Sequence, residues 1–271
     1  YGDHRDLHLS LRRQRQMCIR DSDNIKKIAI SGGNGKMGNL LSEHIKSKDL
    51  FEISGIYDPI AESKEYKNFK ANKEVEADYL FEFSPSNKIN ENIEILCKEQ
   101  VNFGIIIGSS GISEESIEKL KDLGERLLVV VIPNFSIGAS YQKLMSVILS
   151  DVFVNKDIIE KHHSQKKDAP SGTAIDLANN INSNNNEINE QKSENIINVI
   201  NNIKIESIRS DEFLAEQIVN MSNEYEIFNT EHIVHDRKAY LSGINLVLDS
   251  LEDLDGYYFG LESILKNRFK I

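Results

Sequence analysis

A short apolar run, Lys26-Lys27-Ile28-Ala29-Ile30, passes directly into Ser31-Gly32-Gly33-Asn34-Gly35-Lys36-Met37-Gly38, and then into Met37, Leu40, Leu41 and Ile45 at helical spacing. A strand, a glycine-rich turn and a helix in that order leave few folds open. Gly33-x-Gly35-x-x-Gly38 is the spacing of a dinucleotide-binding turn. Its glycines let the backbone approach a pyrophosphate, and the last one lets helix and strand pack closely. Gly32, Gly33, Asn34, Gly35, Lys36 and Met37 are therefore candidate cofactor contacts. The second strand, Phe51–Tyr57, ends at Asp58, twenty residues past Gly38. A carboxylate there accepts from ribose hydroxyls and repels a 2′-phosphate, so NADH is expected over NADPH. Lys64 and Lys67 are the residues that could instead reach a phosphate.

The alternation continues. Tyr79–Phe83, Phe103–Ile107 and Leu127–Ile132 read as strands, with helical stretches at 89–99 and 114–123 between them. This predicts a Rossmann-like, doubly wound parallel sheet with ligands at the strand carboxyl ends. Gly108, Ser109 and Ser110 sit at one such end, and Ile132, Pro133, Asn134 and Phe135 at another, all as candidate cofactor contacts. Asn134-Phe135 marks the expected hinge into a smaller α+β domain, built on a helix at 141–149 and strand candidates at 203–209, 215–221 and 224–228. The expected divisions are a dinucleotide-binding domain over 24–134, with 246–271 packing back on it, and a substrate-binding and oligomerisation domain over 135–245. Residues 182–202, rich in Asn, read as a flexible surface insertion. Residues 1–23 show neither alternation nor a helical stripe, and read as a non-native or disordered leader.

Composition narrows the class of partner. A net charge of −11 disfavours nucleic acid and anionic membrane, because a basic footprint is missing. Basic groups must then be concentrated locally to hold an anion. The two cysteines, Cys18 and Cys97, make no disulfide framework and fit a reducing, cytoplasmic compartment.

Basic groups are concentrated in Glu160-Lys161-His162-His163-Ser164-Gln165-Lys166-Lys167-Asp168-Ala169-Pro170-Ser171-Gly172-Thr173-Ala174. Asp157-Ile158-Ile159-Glu160 reads as a strand with the histidines at its end, and the pattern turns helical after Pro170. The first N–H groups of that helix favour an anion. His162 and His163 exchange protons near neutral pH, and Lys166 can anchor or protonate an acidic substrate. Zinc is not expected. Adjacent histidines diverge from a strand, and no Cys or third His lies at ligand spacing.

The run resembles the signature E-x-H-H-x-x-K-x-D-A-P-S-G-T-A of the dihydrodipicolinate reductase family. Gly32-x-x-Gly35-x-Met37-Gly38 is similar to that family's glycine turn. Glu82-Phe83-Ser84, Gly108-Ser109-Ser110-Gly111 and Pro133-Asn134-Phe135-Ser136-Ile137-Gly138 resemble its D-F-[ST], G-T-T-G and A-N-[FM]-S-x-G elements. Glu82 replaces an aspartate and Ser109-Ser110 a pair of threonines, which keeps the acceptor and the hydroxyls. His232 and Arg237, before a helix containing Gly243, fit H-x-x-x-x-R. The likeness thins at Ser207–Asp211 and at Glu216-Gln217.

The resemblance implies NADH- or NADPH-dependent reduction of 4-hydroxy-tetrahydrodipicolinate to tetrahydrodipicolinate, on the diaminopimelate route to lysine. It implies His162 as general acid/base and Lys166 as proton donor and electrostatic stabiliser. His163, Gly172 and Thr173 would hold substrate carboxylates, Asp168 would orient Lys166 or cap the loop, and His232 and Arg237 would be structural or interface residues. It further implies domain closure about 134–136 and a homotetramer. Two other readings stay open: a different two-domain reductase of an amino-acid-like acid, and a nucleotide sensor without turnover.

Overall fold

The computed structural model describes residues 25–58, 75–99, 101–181 and 196–269. The expected leader, Lys64, Lys67 and most of the Asn-rich stretch lie outside them. The first half runs β1 (Lys26–Ser31), α1 (Lys36–Ile45), β2 (Phe51–Tyr57), β3 (Tyr79–Glu82), α2 (Ile89–Lys98), β4 (Gly104–Ile107), α3 (Glu114–Leu123) and β5 (Val129–Val131). The chain then leaves, and returns through α6 (Tyr240–Leu248), β11 (Tyr257–Phe259) and α7 (Leu261–Phe269). One six-stranded sheet results, in the order β11-β5-β4-β3-β1-β2, with every pairing parallel. Parallel strands are covered on both faces, which is why these read as unbroken apolar runs. On β1, Ile28 and Ile30 pack with α1, α6 and α7, while Ala29 between them packs with α2 and α3.

The direction of winding reverses between β1 and β3, and the glycine turn lies there. Gly32 has φ +74, and a Cβ on it would fall 2.5 Å from the Phe83 carbonyl carbon. A Cβ on Gly38 would fall 2.4 Å from the Gly32 carbonyl oxygen. Both positions need glycine for packing as well as for ligand access.

The second half is a mixed sheet of β6 (Asn155–His162), β7 (Ile196–Ile200), β8 (Ile203–Arg209), β9 (Ala215–Ser222) and β10 (Ile227–Val234). Its order is β10-β9-β6-β8-β7, with β6 and β8 parallel and the other pairs antiparallel. Helices α4 (Ile137–Leu149) and α5 (Gly172–Asn180) complete this half. α5 contributes Ala174, Leu177 and Ala178 to the core with Ile158, Ile205 and Val219 of the sheet.

The structure departs from the sequence expectation in two places. Residues 196–202 are an edge strand and a tight turn rather than insertion. Asn201 and Asn202 take φ 51 and 58, the left-handed pair that a two-residue hairpin needs and that Asn tolerates. The strand expected at 224–228 instead begins at Ile227 and runs through His232 to Val234. The Asn223 side chain accepts from the N–H groups of Tyr225 and Glu226, so 223–226 is turn. Among the described residues no helix is long and apolar enough to cross a membrane.

Candidate active site

Glu160 and His162 are two apart on β6 and so share a face, while Lys161 points to the other and pairs with Glu216 of β9 at 3.0 Å. Glu160 is fully buried. It contacts His162 Nδ1, accepts from Arg209 Nη2 at 2.7 Å and takes the Ser171 N–H at 3.3 Å. Burial by itself would raise this carboxyl; hydrogen bonds from His162 and Arg209 outweigh it and hold the group at about 2. A carboxylate at Nδ1 keeps the proton on that nitrogen and leaves Nε2 for the cleft that His162 lines. Arg209 stands opposite His162 in the parallel β6–β8 register.

The loop after β6 is tied to the same centre. Arg209 Nη2 also donates to the Asp168 carbonyl at 2.6 Å, and the Lys166 N–H donates to the His163 carbonyl at 3.0 Å. Lys166 Nζ pairs with Asp168 Oδ2 at 2.7 Å. Burial would raise Asp168, but the Lys166 ammonium outweighs it and holds that carboxyl below its ordinary value. Ser171 then caps α5, accepting from the Ala174 N–H at 3.2 Å. Gly172 opens the helix, and a Cβ there would meet no heavy atom within 4 Å. Space, not packing, surrounds it.

Across from this wall stand the carboxyl ends of the first sheet. Gly108, Ser109 and Ser110 follow β4, Pro133, Asn134 and Phe135 follow β5, and Met37 lies in the first turn of α1. Together with His162, His163, Lys166, Gly172 and Thr173 they line one cleft of ≈ 870 Å³. Asn134 Nδ2 donates to Thr173 Oγ1 at 3.3 Å, which joins the two walls beside the expected hinge.

Other expected contacts lie outside that cleft. Gly32 and Gly33 are buried in the turn, and Asn34, Gly35 and Lys36 are exposed at the start of α1. Ile132 is wholly buried and gives its N–H to the Ile107 carbonyl, so its side chain faces the core. Asp58 is 7 % exposed and accepts the Asn34 N–H at 3.1 Å, bracing the glycine turn.

A dinucleotide fits this arrangement. Gly32 and Gly38 have no room for a side chain, and α1 follows its N-cap Gly35 with no side chain capping its first N–H groups. An uncapped, exposed helix start is what a pyrophosphate requires.

Some residues around the cleft have no role in the sequence reading. Glu160, which there is only the start of the signature, and Arg209 hold His162 from behind. His232, expected to be structural or interfacial, lines the cleft with its Nε2 3.0 Å from Ser136 Oγ. That hydroxyl accepts the Ala139 N–H, so its own proton is free to go to His232, whose pKa burial lowers. Gly138 is required beneath the ring, since a Cβ there would fall 2.5 Å from His232 Cδ2.

Residues 26–135 match the family described as dihydrodipicolinate reductase, N-terminus, and residues 137–265 match dihydrodipicolinate reductase, C-terminus. The chain is 28% identical over 254 residues to the 4-hydroxy-tetrahydrodipicolinate reductase of Streptococcus uberis, covering 88% of this chain and 99% of that one. It is 29% identical to the reductase of the same description from Streptococcus suis, over the same coverage. A dipicolinate-bound dihydrodipicolinate reductase from Paenisporosarcina sp. TG-14 shares the fold, with TM-score 0.72 and 24% identity over 88% of this chain and 98% of that one. A probable dehydrogenase from Thermotoga maritima, 10% identical, shares the general plan with TM-score 0.60 over 88% of this chain and 92% of that one. With both halves matched and the two sheets meeting at one cleft, this chain belongs to the dihydrodipicolinate reductase family.

Proposed function

We propose that this chain reduces 4-hydroxy-tetrahydrodipicolinate to tetrahydrodipicolinate, consuming a reduced nicotinamide dinucleotide and one proton and releasing oxidised dinucleotide and water. The observation that carries the reading is the meeting of His162, Lys166 and the α5 start with the strand ends of the dinucleotide-binding sheet in one cleft. A bound reduced nicotinamide would supply hydride to the electrophilic ring. Lys166, four residues past His162, stabilises the charge that develops there and donates the proton. His162, fixed by Glu160, exchanges protons through Nε2. His163 and the N–H groups of Gly172 and Thr173 hold the carboxylates, since the first N–H groups of α5 have no partner within the helix. Asn134 and Thr173 bring the walls together at the hinge and help to exclude water.

Asp58 sets an acidic side chain against the glycine turn, which supports NADH over NADPH. The outer face of the second sheet supports self-association into a tetramer: Ile227 and Ile233 of β10 are exposed by 74% and 41%.

Freshly generated 4-hydroxy-tetrahydrodipicolinate should cause loss of reduced-nicotinamide absorbance, faster with NADH than with NADPH. Dinucleotide binding without substrate-dependent oxidation would refute the assigned reaction. Gly172→Ala should fold with unchanged Tm, because its methyl group meets empty space. It should raise KM for the dicarboxylate about tenfold or more, and an unchanged KM would remove Gly172 from the carboxylate site.

A further inference from the structure

α4 is fastened twice by adjacent residues, one within its own half of the molecule and one that reaches both halves. Gln142 Nε2 donates to the carbonyls of Gln217 and Thr230 at 2.9 and 3.1 Å, which fixes the helix to β9 and β10. Lys143 Nζ lies 2.7 Å from Asp176 Oδ2 on α5 and 2.6 Å from Glu262 Oε1 in the first turn of α7. α5 starts at Gly172 and Thr173, one turn before Asp176, so Asp176 moves with the proposed carboxylate site. α7 belongs to the dinucleotide half and packs on the first core.

Lys143 therefore reaches from the substrate wall to the dinucleotide wall through a single ammonium group. Its side chain is 15% exposed and that of Glu262 16%, so the pair is shielded from salt far better than a surface bridge. Burial would lower the Lys143 pKa, but the two carboxylates outweigh it and raise it. The Glu262 carboxylate folds over Gly260, where φ is +79 and a Cβ would fall 2.3 Å from Oε1.

We propose that Lys143 is a positioning residue for the reaction, a strut that sets the start of α5 at a fixed distance from the dinucleotide half. This rests on the function proposed above. Without the ammonium, Asp176 and Glu262 face each other as like charges and drive α5 and α7 apart, which opens the cleft and weakens its hold on the dicarboxylate.

The test compares the parent with Lys143→Met, Lys143→Arg and Lys143→Met combined with Glu262→Gln. Lys143→Met should raise KM for the dicarboxylate substrate about tenfold and lower kcat less than about threefold. Lys143→Arg should stay within about threefold of the parent, because a guanidinium spans the same two carboxylates. Adding Glu262→Gln to Lys143→Met should recover most of the lost KM by removing the repulsion. A merely structural lysine behaves differently, lowering Tm and the active fraction while leaving KM alone. That pattern, unchanged kinetics in Lys143→Met, or no recovery from Glu262→Gln would overturn the strut. A parent that does not turn over would instead overturn the functional reading, and the positioning role with it.

Discussion

Lys166→Ala should lower kcat by about 10²–10⁴-fold, the usual contribution of a positioned acid–base group, with dinucleotide affinity unchanged. Lys166 follows β6, away from the strand ends of the first sheet, so its loss leaves the contacts proposed for the dinucleotide in place. It is held by Asp168 Oδ2 at 2.7 Å and by its own N–H to the His163 carbonyl at 3.0 Å. The backbone bond survives in the alanine variant, and Arg209 still ties the Asp168 carbonyl to Glu160. The loop therefore keeps its path, and the melting temperature should barely change. Single-turnover oxidation of bound cofactor, with binding measured separately by nicotinamide fluorescence, distinguishes the two effects. A variant with parental kcat would remove Lys166 from the chemistry.

Glu160→Gln should reduce both stability and turnover. The carboxylate is completely buried and pairs with Arg209, while a neutral amide removes that buried counter-charge. Breaking such a pair costs about 3–5 kcal/mol, or a fall of roughly 6–20 °C in Tm for a chain of this size. The amide can also donate, so His162 is no longer held in the one tautomer that leaves Nε2 unprotonated, and kcat should fall about tenfold or more. The parent should show the same dependence in acid. A carboxyl with an ordinary value of 4.5, held at about 2, contributes its full stability above pH 4.5 and loses it as the pH falls toward 2. In Glu160→Gln that part of the acid dependence should vanish. Identical acid melting curves for parent and variant would show that Glu160 is not the group involved.

Much of this was legible in the residues because local chemistry and global fold coincide there. The glycine turn is a contiguous motif, and the parallel strands announce themselves as apolar runs because both faces are covered. His162, Lys166, Gly172 and Thr173 fall within one short segment, so their convergence needed no long-range information. What the sequence hid depends on pairing at a distance. Arg209 reaches Glu160 only through the β6–β8 register, and Lys143 meets Glu262 across 119 positions. β7 was obscured by composition, its Ile196, Ile197, Val199 and Ile200 being embedded among asparagines that also supply its turn. β10 was misplaced because its outward residues, Ile227, Asn229, Glu231 and Ile233, mix apolar and polar types and blur the alternation.

The last strand of the dinucleotide sheet has a consequence for assembly. β11 lies beside β5, yet more than a hundred residues separate them in the chain, including the entire mixed sheet. As the polypeptide leaves the ribosome, the first half stays one strand short: Val129–Val131 present an unpaired edge until Tyr257–Phe259 arrive. The mixed sheet must therefore form, or wait, within an unfinished partner, so the two halves are not successive folding units. Truncation before 257 would leave both that edge and the apolar surface covered by Leu261, Ile264 and Leu265 open to other chains.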